Sequence, residues 1–100
     1  MPELSPTSVL SALANDDSLQ AFVRDGRIEL MPAKRSRRLR LLETVVTAFE
    51  PGARYSEEQV DGLLRVLHPD HCALRRYLVD EALLERDHGQ YWRIGGPAGR

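Results

Sequence analysis

The chain has 100 residues, 42% hydrophobic and 29% charged, with a net charge of -1, a balance that fits one globular domain and excludes both disorder and a second core. No apolar run approaches the ~20 residues of a membrane span, the first residues lack the basic start and long apolar segment of a signal peptide, and Cys72, the single cysteine, excludes an intrachain disulfide. A cytoplasmic protein that does not engage membranes is expected.

Ser5 before Pro6 reads as an N-cap followed by a proline at the first helical position, with Leu10 and Leu13 on one side of a short helix. Asn15-Asp16-Asp17 ends it. Leu19, Phe22 and Val23 then recur at helical spacing and predict a second short helix over Asp17 to Val23. Asp25-Gly26 is a turn signal, and the alternation of Arg27 to Leu30 predicts a strand with Ile28 and Leu30 on one side, stopped by Pro32 and available to pair with the C-terminal ribbon.

From Ala33 to Phe49 the apolar positions Leu39, Leu42, Val45, Val46 and Phe49 form the stripe of an amphipathic helix. Its start carries Lys34, Arg35, Arg37, Arg38 and Arg40, although the positive end of a helix dipole disfavours cations. An anionic partner relieves that conflict, and so does plain solvation.

Ser56 with Gln59 has capping-box spacing, and Val60, Leu63, Leu64 and Leu67 follow at i, i+3, i+4 and i+7. The outer face of that helix carries Glu57, Glu58 and Asp61, so it reads as a support rather than a polyanion contact. His68-Pro69 forces a corner and Asp70 caps the next helix, expected over residues 70–81. There Leu74, Tyr77 and Leu78 face inward and Cys72, Arg75, Arg76 and Val79 outward. Leu83 to Asp87, a His88-Gly89 turn and Gln90 to Ile94 complete a two-stranded ribbon.

The expected fold is α+β, mainly α: a winged helix-turn-helix with two short N-terminal helices and a small antiparallel wing. Residues 1–25 are read as a helical extension, 26–94 as the winged-helix domain and 95–100 as a flexible tail. In such a fold Arg75 and Arg76 on the second helix, Arg86 and Arg93 on the wing, and Lys34, Arg35, Arg37 and Arg38 as phosphate contacts would meet double-stranded DNA. The competing reading of the arginines is solvation or pairing, and Asp80, four residues after Arg76, has the spacing of an intrahelical ion pair. Tyr91 and Trp92 are read as packing between wing and core.

His68, Asp70, His71 and Cys72 include zinc-ligand types, but so short a run across a corner does not bring four side chains to one ion, and Pro69 and Asp70 are explained by the corner itself. Cys72 near a helix N-terminus and two arginines also fits a redox sensor. No glycine-rich phosphate loop, HExxH or GxSxG is present, so neither a cofactor nor catalysis is expected.

Phe49-Glu50-Pro51-Gly52, Tyr55-Ser56-Glu57, Val60, Leu74-Arg75-Arg76, Leu78-Val79-Asp80, Leu84, Arg86-Asp87 and Tyr91-Trp92-Arg93 together resemble an uncharacterised bacterial family, a domain of unknown function. Its members occur alone or behind ArsR-type or MarR-type helix-turn-helix regions of transcriptional regulators. The resemblance covers about Phe22 to Arg93, including Gly26-Arg27 and Pro32-Ala33-Lys34. It implies a winged-helix-like domain with a role in transcription regulation, and supplies no catalytic residue or ligand. The chain departs from the family pattern at Asp61-Gly62, where an asparagine is usual, and near His71-Cys72, where a tyrosine or similar residue is.

Two functions follow as expectations. One is a DNA-binding transcriptional regulator using the second helix and the wing. The other is a protein-interaction module of the same fold, in which Leu10, Leu13, Leu19 and Phe22 would form a homodimer seam or contact a regulator protein.

Overall fold

The structure, a computed structural model, describes residues 6–97. Helix α1 spans Pro6–Ala14 and buries Val9 and Leu13. Of the Leu10–Leu13 side, Leu13 is buried and Leu10 only partly so, and the expected cap Ser5 lies outside the described residues. The Asp16 carboxylate next accepts from the backbone N and hydroxyl of Ser18 at 3.0 and 2.7 Å. Such a carboxylate-bonded turn reverses the chain locally.

The expected second helix does not form. A single 3-10 turn at Gln20–Phe22 feeds strand β1, Val23–Arg24, which pairs with β2, Arg27–Ile28. Asp25 and Gly26 both have positive φ, 54° and 74°, the geometry that matches the twist of a two-residue hairpin. Apolar residues three and four apart suit a 3-10 turn leading into a strand as well as a helix, and here the hairpin prevails. β2 is thus paired with β1 and not with the C-terminal ribbon. Ile28 is buried but Leu30 is 63% exposed, because the strand ends before the alternation reaches it.

Helix α2, Arg35–Val46, starts after Lys34, whose side chain makes no capping bond. It buries Leu41, Leu42, Val45 and Val46, and a following turn buries Ala48 and Phe49. Leu39 lies only at the edge of this face. Strand β3, Arg54–Ser56, then leads directly into α3, Glu57–Leu67. Gln59 N donates to Ser56 Oγ at 3.1 Å and Ser56 N to Gln59 Oε1 at 2.8 Å, the reciprocal capping box the spacing predicts. All four predicted core positions of α3 are buried.

After the corner, Asp70 accepts from Ala73 N at 3.1 Å and starts α4, His71–Asp80, which buries Leu74 and Leu78. β4, Leu84–Asp87, and β5, Gln90–Arg93, form a hairpin whose loop residues His88 and Gly89 have φ of 51° and 77°. The sheet has the order β3-β5-β4, all antiparallel. The ribbon is therefore three-stranded.

Val9, Leu13, Leu19 and Ile28 join residues of α2, α3, α4 and the sheet in one hydrophobic cluster. Leu13 and Leu19, expected to form part of an outward seam, are fully buried. The first hairpin is fastened to the end of α3 by His68 Nδ1 at 2.7 Å from Ile28 O and by Arg27 Nη2 donating to Arg65 O at 2.7 Å. Phe49 and Tyr55 meet edge to face with centroids 5.2 Å apart, and the Tyr55 hydroxyl accepts from Glu50 N at 2.9 Å. Among the described residues no helix is long and apolar enough to cross a membrane.

Candidate nucleic-acid interface

The capping of α3 and α4 and the tight β4–β5 loop place the outer face of α4 beside the hairpin. Between them lies a groove of about 340 Å³ lined by Cys72, Arg75, Arg76, Val79, Asp80, Arg86 and Tyr91. The strand register explains the wall made by the sheet, since Arg86, Tyr91 and Tyr55 lie opposite one another in β4, β5 and β3 and share a face. The Arg86 guanidinium sits 5.9 Å from the Tyr91 ring centroid. The other face carries the row Arg54, Trp92 and Glu85, with Arg54 stacked 4.0 Å over Trp92.

Arg75 does not stand free on the outer side of α4 as the 100° step predicts. Its side chain is 20% exposed and Nη1 donates to Asp61 Oδ1 of α3. Burial works against its charge, but the bond to Asp61 and the charges of Asp61 and Glu57 outweigh it and hold the guanidinium more firmly protonated. Beside this pair Tyr91 Oη donates to Glu57 Oε1 at 3.0 Å. Burial first, and that bond second, push the Tyr91 phenol above its ordinary value. Glu57 and Asp61, read from the sequence as the acidic face of a supporting helix, thus secure two groove-lining side chains. Their spacing of four within one helix, which puts both on one face, is the signal that could have found them.

Arg76 and Arg86 are exposed, and among the described residues neither forms an ion pair. The intrahelical pair of Arg76 with Asp80 does not form. Arg93, expected on the surface of the wing, is 9% exposed. It donates from Nε to Gly95 O at 2.9 Å, from Nη1 to Phe49 O at 3.2 Å and from Nη2 to Pro97 O. Its place in the register opposite Leu84 turns it toward the core. It joins the chain after β5 to the turn after α2. Gly96, at φ 94°, lies where an added Cβ would be 2.5 Å from Val46 Cγ1.

The basic start of α2 divides by helical rotation. Arg35 pairs with Glu81 after α4 at 2.7 Å. Arg38 donates to Pro32 O and Ala33 O at 3.2 and 3.1 Å and lies 5.1 Å over the Tyr77 ring centroid. Arg40, on the other side, pairs with Asp16 at 2.7 Å. The Asp16 carboxyl is held below its ordinary value by its bond from Ser18 and then by that from Arg40. Lys34 and Arg37 remain exposed beside Ser18, Ser36 and Arg40. A run of cations in sequence is therefore two separate surfaces, one of them occupied by contacts with α4.

The cluster around the corner is dispersed by its own bonds. His68 is buried against Ile28 O and Asp70 caps α4, leaving His71 Nε2 3.5 Å from the exposed Cys72 Sγ. Among the described residues no three potential ligand side chains converge.

A family profile described as "Uncharacterized protein conserved in bacteria (DUF2087)" matches residues 27–93, from β2 through β5, and the chain belongs to that family. No curated protein and no solved structure matches the chain.

Proposed function

We propose that this member of the bacterial DUF2087 family is a DNA-binding protein of the winged-helix type, acting in transcription regulation. The observation that carries the reading is topological. α2, β3, α3, α4, β4 and β5 follow in the order helix, strand, helix, helix, strand, strand, the sheet has the order β3-β5-β4, and the β4–β5 hairpin lies against the second helix of the pair. In that reading α4 is the recognition helix and enters the major groove, which admits one α-helix, while the hairpin follows the backbone. Fold alone does not specify function; the cationic groove between α4 and the hairpin adds the chemistry. The sequence resemblance to domains found with ArsR-type and MarR-type regulators points the same way.

Arg76 and Arg86 are the contacts proposed at α4 and the wing, with Lys34 and Arg37 as outlying phosphate contacts. Arg75 acts from the floor of the groove. Arg35 and Arg38 serve the packing of α2 on α4, and Arg93 serves the wing root. The test is selection of bound duplexes from a random pool, followed by affinity at several salt concentrations. Enrichment of a common sequence with a falling log K against log salt supports the proposal; no binding at low salt removes it.

A further inference from the structure

The α4–hairpin groove contains charges that are internally matched and charges that are not. Asp61 is engaged by Arg75 and Glu57 by Tyr91 Oη. Arg76 from α4 and Arg86 from β4 line the same space with no carboxylate partner among the described residues. Asp80 is the one acid in the lining. Arg75 presents one donor to Asp61, and a guanidinium carries five N–H donors in a fixed fork. At about 340 Å³ the opening exceeds the ~30 Å³ share of one water many times over.

Three arginines from two walls favour an anion with several oxygens, since guanidinium forks pair bidentately with such groups. A cation is disfavoured by the same charges. An apolar ligand would strand the unmatched guanidiniums. We infer that the groove seats one phosphate group, held by Arg76 and Arg86 from opposite walls and by Arg75 at the floor, with Asp61 positioning Arg75. The DNA backbone as the source of that phosphate rests on the function proposed above. A small phosphorylated molecule offers the same chemistry.

Two parallel titrations of the full chain test this: inorganic phosphate at constant ionic strength, followed by nitrogen–proton NMR including arginine Nε–H signals, and a short mixed-sequence duplex, followed by fluorescence anisotropy. Saturable phosphate shifts at Arg76, Arg86 and Tyr91 are expected. Arg86→Gln and Arg76→Gln should remove those shifts and weaken duplex binding about tenfold, lowering the salt slope by about 1 for each phosphate no longer neutralised. Arg54→Gln, on the opposite face of the sheet, should change neither. Duplex binding without phosphate shifts in the groove, and untouched by Arg86→Gln and Arg76→Gln, overturns the inference while leaving DNA binding in place. Saturable phosphate shifts without duplex binding remove the DNA reading and support the groove as a site for a small phosphorylated molecule. Neither shifts nor duplex binding overturns both.

Discussion

Arg75 of α4 is bound to Asp61 of α3 across the interface between the two helices, with both side chains largely withdrawn from solvent. A pair in that position adds little over an apolar one but is costly to break on one side, because the remaining charge keeps its partial burial and loses its partner. Asp61→Ala and Arg75→Ala should each lower unfolding stability by about 1–3 kcal/mol, discounted from a fully buried pair for the solvent that still reaches it. Urea denaturation of the two single variants and the double variant checks this. The double should cost less than the sum of the singles by about 1 kcal/mol, and strict additivity would deny the pair any coupling.

Arg93 joins three backbone carbonyls, which a single ammonium cannot reproduce with the same planar fork. Arg93→Lys should therefore destabilise by about 1–3 kcal/mol and Arg93→Ala by at least as much. Measured well below the melting temperature, duplex affinity should be unchanged by Arg93→Lys. A specific loss of binding with stability intact would return this residue to the interface.

The Tyr91 phenol titrates above its ordinary value because of burial and its bond to Glu57. A raised folded pKa means that the contribution of Tyr91 is fully present below the unfolded value of about 10 and is lost as pH rises through the folded value. Tyr91→Phe should flatten the alkaline limb of a stability-versus-pH curve. An identical limb in the variant would show that other groups govern alkaline unfolding.

His68 links the end of α3 to Ile28 O in the first hairpin. His68→Ala should cost about 1–3 kcal/mol through the unpaired buried carbonyl and the cavity left behind. Hydrogen exchange would locate the effect: amides of residues 23–29 should lose protection more than those of β4 and β5. Uniform loss across the domain would contradict a local role.

What the sequence makes legible depends on how local its cause is. α3 is readable because its capping box and its four buried positions lie within one segment. β3 is not, since its three residues include one apolar side chain and acquire strand geometry through β5, more than thirty residues later. The groove is half legible. Arg76 and Arg86 follow from helix and strand periodicity, whereas the withdrawal of Arg75 depends on Asp61 across a helix–helix contact. Arg93 misleads for a related reason: an arginine near the end of a strand suggests a wet position, and only the path of the chain after it, together with Phe49 O in the distant turn after α2, reveals the three carbonyls at its fork.

Of the three strands in the larger sheet, β5 is central, and it comes after both of its neighbours in the chain. Until residues 90–93 are in place, β3 and β4 have no strand partner in this sheet, however early their own residues have been made. The hairpin can close quickly because its loop is short, but recruiting β3 requires a long loop of chain to be gathered first, with α3 and α4 inside it. The β3–β5 pairing therefore closes a loop of chain that contains both helices. The hairpin alone carries the sheet-side wall of the groove, Arg86 and Tyr91, so a lesion at β5 would strike that wall and the pairing of β3 at once.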